Sequence, residues 1–97
     1  MIKVMVQDGV SKVVPEGNLD MESITELQKT LEQCAKEGAV SVDLGGVSML
    51  SSSAIGALIA GHNALRPSGR RLRVESASDG ICHLMRLMGL DRHFEIA

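Results

Sequence analysis

Ser51, Ser52 and Ser53 stand side by side at the predicted start of a helix, where free backbone N–H groups and the positive end of the helix dipole favour a negative group. A small anion- or nucleotide-binding turn could be built there. The plainer reading is capping, because serine is among the preferred N-caps and one hydroxyl satisfies an orphan donor. The two readings are compatible. Nucleophilic catalysis fits less well. A serine hydrolase needs a Gly-x-Ser-x-Gly elbow served by an acid and a histidine, yet Gly46-Val47-Ser48-Met49-Leu50 lacks the second glycine and His62 falls well inside the following helix. Cys82 and His83 are adjacent, so on a helix they point about 100° apart and form no thiolate dyad. They read as a core cysteine beside a solvent-facing histidine. His62, His83 and His93 lack the i, i+4 pairing of helical zinc sites. No catalytic residue, metal or cofactor is expected, and the chain is not read as an enzyme.

Two further groups carry potential chemistry. Arg66, Arg70, Arg71 and Arg73 flank Pro67-Ser68-Gly69 and form the only basic cluster in the sequence. They could engage phosphate, but cations after a helix C-terminus complement its dipole, and solvated arginines are the favoured reading. Met21, Met49, Met85 and Met88 are partner-facing or core. Met85 and Met88 continue an apolar stripe and are expected in the core, while Met49 precedes the serine turn and is a candidate partner contact.

The elements that position these residues are legible in the pattern. Residues 2–6 and 10–14 are β-branched runs separated by Asp8-Gly9, a strong hairpin signal. Asp20 is placed as the cap of a helix carrying Ile24, Leu27, Leu31, Cys34 and Ala35 on one stripe and ending at Gly38. Ala39 to Leu44 reads as a strand covered largely on both faces. A second helix follows the serines with Ile55, Leu58, Ile59, His62 and Leu65 on one stripe, and its small residues Ala54, Gly56, Ala57, Ala60 and Gly61 permit close packing against a sheet. Residues 71–75 form the next strand, Asp79 caps a third helix with Ile81, Leu84, Met85 and Met88, and Phe94 with Ile96 suits a last short strand. The order ββαβαβα(β) implies a single α/β domain over residues 1–97: a mostly parallel sheet, an antiparallel N-terminal hairpin, and helices after the second, third and fourth strands. In such sheets the loops at the carboxyl ends of the strands share a rim where ligands and partners meet the protein. Here they are Gly17 to Asp20, Gly45 to Ser53 and Ser76 to Asp79.

Composition narrows the partners. Ninety-seven residues suffice for one core, and 44% hydrophobic with 23% charged residues suits a globular domain. A formal charge of −2 gives no general attraction to nucleic acid or anionic membrane. Phe94 is the single aromatic residue, so base stacking is excluded and a partner surface must use aliphatic, methionine and backbone contacts. Cys34 and Cys82 are too few for a disulfide framework and suit a reducing cytoplasm. No segment approaches the length of a membrane span or resembles an export signal, so neither insertion nor secretion is expected.

Gly17-Asn18-Leu19-Asp20, the run from Val42 to Gly56, and the run from Leu84 to Phe94 resemble the STAS domain (sulphate transporter and anti-sigma factor antagonist), and in length the chain is most similar to free-standing bacterial anti-sigma factor antagonists. The resemblance implies a cytoplasmic, non-enzymatic switch that binds an anti-sigma factor doubling as a serine kinase with ATP. Phosphorylation at the start of the second helix would abolish binding and a phosphatase would restore it. The family's Asp-Ser-(Ser/Thr)-Gly motif falls on Ser51, Ser52, Ser53 and Ala54, making Ser52 the phosphoacceptor, ahead of Ser53 and Ser51. Ser51 departs from the Asp and Ala54 from the Gly. Asp20 matches the family's acidic residue, and the implied partner surface comprises Asp20, Met49, Ser51, Ser52, Ser53 and Ala54. Two alternatives stand beside it: a STAS adaptor subunit, never phosphorylated, of a signalling or lipid-transport complex, or the small nucleotide- or anion-binding module.

Overall fold

The computed structural model describes residues 2–17 and 19–97; Asn18, placed in the first rim loop, and Met1 lie outside the described residues. Asp8 (φ 54°) and Gly9 (φ 79°) both adopt positive φ, the geometry of a two-residue hairpin turn whose twist matches its strands. They join β1 (Ile2–Gln7) to β2 (Val10–Pro15), paired from Gln7–Val10 to Ile2–Pro15. There follow α1 (Met21–Ala35), β3 (Ala39–Asp43), α2 (Ser52–Leu65), β4 (Arg73–Glu75), α3 (Asp79–Leu87) and β5 (Glu95–Ile96), with 3-10 turns at Arg66–Ser68 and Leu90–Arg92. The five strands lie in chain order, β2 to β5 parallel.

That order decides the layering. Each crossover advances one strand in the same direction, and right-handed crossovers then place every helix on the same face of the sheet. Ser11, Val13, Val40, Val42, Leu72 and Val74 are buried beneath the helices. β3 is therefore covered by helices on one face and by neighbouring side chains on the other, as its apolar run implied. On the open face Ser41 lies in register between Lys12 and Arg73, whose long stems leave it 2% exposed. Lys12 Nζ there sits 3.7 Å from Asp43 and 3.8 Å from Glu75, and Arg73 pairs with Glu95 at 2.9 Å.

The small residues of α2 also serve a different neighbour. A Cβ on Gly61 would lie 2.9 Å from Leu31 Cβ, so this glycine admits α1 rather than the sheet. Ala54, Ala57 and Leu58 are buried in the core, while Gly56 faces open space. Met88, expected in the core, is 50% exposed, because α3 ends at Leu87 and Met88 turns outward as its C-cap; Met85 is fully buried. The cap of α3 is Ser78, whose Oγ accepts the Ile81 N–H at 3.2 Å, and Asp79 is the first helical residue. β4 begins at Arg73 rather than Arg71, because the Leu72 N–H goes to His62 Nδ1 at 3.2 Å. Leu44 falls just outside β3, though its N–H reaches Glu75 O at 2.9 Å. Among the described residues no helix is long and apolar enough to cross a membrane.

Candidate functional site

The three rim loops meet. The Gly17 N–H reaches Gly46 O at 3.4 Å, and a Cβ on Gly45 would lie 3.4 Å from Ser76 Cβ, so the loops after β2, β3 and β4 touch in sequence. The middle loop is shaped from within. Asp43 Oδ1 accepts the Gly45 N–H at 2.8 Å, turning the chain as it leaves β3. Val47 and Leu50 are then buried beneath the loop, and with their side chains committed to the core, Ser48 is exposed and Met49 is 77% exposed.

The serines divide their work. Ser51 has extended backbone (φ −77°, ψ 166°), its Oγ accepts the Ala54 N–H at 3.1 Å, and its carbonyl accepts the Ile55 N–H at 3.0 Å. It is the N-cap, a role in which serine and aspartate are equally apt. Ser52 and Ser53 occupy the first two helical positions, both exposed, and their N–H groups have no protein partner among the described residues. Ala54 sits with the serines in sequence but not on the surface: it is fully buried, its methyl in the core beneath the turn.

Asp20 caps α1 in the same manner, Oδ1 accepting the Ser23 N–H at 2.8 Å. That bond, supported by the Ser23 side chain, holds the carboxyl below the usual aspartate range. Asp20 is exposed, so the rim carries a persistent negative charge beside the first loop. Met21, on the first turn of α1, is 67% exposed; its place outside the Ile24, Leu27 and Leu31 stripe was the signal that would have added it to the surface.

The arginines do not form one cluster. Arg71 Nε donates to His93 O at 2.8 Å and its Nη2 to Phe94 O at 2.7 Å, fastening the C-terminal loop, while Arg73 lies on the open sheet face. Cys34 is buried and Cys82 half-buried, its Sγ 3.6 Å from Ala77 O. His62 is buried and His83 exposed.

A family model described as "Mlab, STAS domain" matches residues 3–96. The anti-sigma-B factor antagonist of Staphylococcus aureus (strain NCTC 8325 / PS 47) is 29% identical over 91 residues, covering 92% of this chain and 84% of its own. An anti-sigma-factor antagonist (STAS) domain protein from Planctomyces limnophilus superposes with a TM-score of 0.82 at 19% identity, covering 98% of this chain and 87% of its own. The Bacillus cell fate determinant SpoIIAA in its phosphorylated form superposes with a TM-score of 0.73 at 18% identity, over 100% of this chain and 91% of its own. At these identities the two structures speak for the fold alone.

Proposed function

The chain belongs to the STAS domain family, and from that footing we propose that it acts as an anti-sigma factor antagonist, a non-enzymatic switch that binds a kinase-type anti-sigma factor through its serine rim. Phosphorylation of Ser52 by that partner releases it, a phosphatase restores it, and both events belong in the cytoplasm. The observation that carries the reading is the division of labour in the turn: Ser51 is spent on the cap, so Ser52 can be modified without unmaking the helix. A relative at 29% identity is an anti-sigma-B factor antagonist, and a neighbour of the same fold exists in a phosphorylated form.

The physics of the switch follows from the position. A phosphoserine carries about −1.5 to −2 charges, and at the first turn it meets unpaired N–H groups and the positive end of the dipole, so the fold tolerates it. A partner packed over the same turn must desolvate that charge. Left unpaired it costs several kcal/mol, which weakens binding on the order of a hundredfold or more. Asp20, and Asp79 where α3 begins, add negative charge to the rim. Ser51 in place of aspartate keeps the cap and removes a carboxylate beside the acceptor. The phosphorylation rate should therefore be low and should rise in Ser51→Asp.

The test is incubation with kinase-type anti-sigma factors and ATP, followed by intact and fragment mass analysis, with partner titration of Ser52→Ala and Ser52→Asp. One added phosphate on Ser52, strong binding by the Ala variant and weak binding by the Asp variant are expected. The departures at Ser51 and Ala54 favour one second reading, the unphosphorylated adaptor of a signalling or lipid-transport complex. No added phosphate, with Ser52→Asp binding its partner like the unaltered chain, would select the adaptor.

A further inference from the structure

At the end of α2 far from the serines lies a second cluster of polar groups that the switch does not use. His62 is 7% exposed, and its Nδ1 accepts the buried Leu72 N–H at 3.2 Å. Nδ1 therefore holds a lone pair, and the proton of the neutral ring is on Nε2. No protein group among the described residues accepts that proton, yet no buried side-chain nitrogen there lacks a partner. Nε2–H must then reach solvent, and its outlet is the cavity of about 250 Å³ that His62 lines. Asn63, Arg66 and His93 share this wall, and no carboxylate does. Arg66 has no ion-pair partner among the described residues, whereas Arg73 is paired and Arg71 is occupied by backbone carbonyls. Met88, Leu90 and Phe94 also line the cavity, the Phe94 ring 5.5 Å from His62 in an edge-on arrangement.

We propose that this cavity binds a small aliphatic carboxylate, its anionic head among His62, Asn63, Arg66 and His93 and its short apolar body against Met88, Leu90 and Phe94. Three arguments carry it. A wall that holds the Arg66 guanidinium and no acid has electrostatic complementarity for a negative group. Of the carbonyls at the end of α2, which would oppose an anion, two are already engaged: His62 O accepts the Arg66 N–H, and Leu65 O accepts the Ser68 hydroxyl at 2.8 Å and the Arg70 N–H at 3.2 Å. The volume, equal to roughly eight waters at about 30 Å³ each, exceeds what an inorganic anion fills and leaves the apolar side for a short hydrocarbon body. The wall is also preformed, since Arg71 ties down the carbonyls of His93 and Phe94. His93, Arg66 and Arg71 already disfavour a proton on His62, after burial itself, and a bound carboxylate would relieve that repulsion.

The experiment is titration of the labelled full chain with 3-methylbutanoate, followed by proton–carbon NMR of the histidine rings, the Phe94 ring and the Met88 and Leu90 methyls. Saturable shifts confined to this group are expected. The neutral 3-methylbutanamide should bind at least tenfold more weakly. Arg66→Gln, at an exposed side chain without an ion pair, should fold normally and lose at least tenfold in affinity. Absence of saturation at tens of millimolar carboxylate, equal binding of the amide, or unchanged affinity in Arg66→Gln would each overturn the proposal. Inorganic phosphate saturating the same residues more tightly than the carboxylate would overturn it as well, by showing that the apolar body contributes nothing.

Discussion

The two ends of α2 are made from similar materials and do opposite things. At its start, small polar residues stand outside the core: Ser51 closes the helix by a bond three residues along, and Ser52 and Ser53 remain open to solvent. At its end, a polar residue is drawn inside: His62 is buried and spends Nδ1 on the backbone of Leu72, ten residues away. The first end is stabilised by its own chain and can tolerate new charge. The second couples α2 to the approach of β4 and depends on the lone pair of His62 Nδ1. A modifiable switch belongs where the fold does not depend on the hydroxyl, and a preformed cavity belongs where it depends on every neighbour.

Leu58, fully buried midway between the ends, is shared by both. Leu58→Ala should therefore damage both at once, costing about 2 to 5 kcal/mol in urea unfolding. A loss below about 0.5 kcal/mol would place it on the surface and remove the common scaffold.

His62→Ala attacks only the buried end. It leaves the Leu72 N–H without an acceptor, with an expected cost of about 1 to 3 kcal/mol, and its methyl and ring signals around Phe94 should shift while those of Ser52 stay still. The same residue sets a pH dependence. Burial, then His93, Arg66 and Arg71, lowers its pKa from the ordinary value of 6.5, so below that pH the unfolded chain binds the proton more readily than the folded one. Stability should fall as pH drops from about 6.5 toward the lowered folded value. In His62→Gln, whose amide oxygen can still accept from Leu72, the midpoint of urea unfolding should vary less between pH 7.5 and 5.5.

Ser51→Ala removes the cap and should cost about 0.5 to 2 kcal/mol, read by thermal melting in the far ultraviolet, since the chain has neither Trp nor Tyr. Ser52→Asp should produce the smallest change. A carboxylate at the first helical position gains at most about 1 kcal/mol from the dipole, so the melting temperature should hold or rise slightly. Ready unfolding of this variant would erase the contrast between the ends.

Much of this architecture was legible in the chain. Asp8-Gly9 announced the hairpin because a two-residue turn with both φ angles positive admits few other sequences. Asp20 and Ser51 announced helix starts because a cap bonds a residue three positions away, which sequence spacing displays directly. The candidate rim was legible for the same reason, and the resemblance singled out Ser52. What spacing did not display was orientation in depth. Ala54 and Ser53 are neighbours in sequence, yet one turns into the core and the other to solvent; Met88 continues a stripe that the end of α3 turns outward. Gly61 was legible as a close-approach position, but the object approached, Leu31 rather than a strand, was not.

The sequence by itself determined the elements, their order and the turn that presents Ser52, because each depends on interactions spanning only a few residues, the hairpin turn, the helical stripe and the N-cap. Tertiary structure alone decided that one sheet face carries no helix, that Arg71 reaches across to the carbonyls of His93 and Phe94, and that His62 meets Leu72. Those contacts depend on where a chain returns in space and how far a side chain reaches at that point. A local pattern carries neither quantity, since both arise when the helices settle together on one side of the sheet.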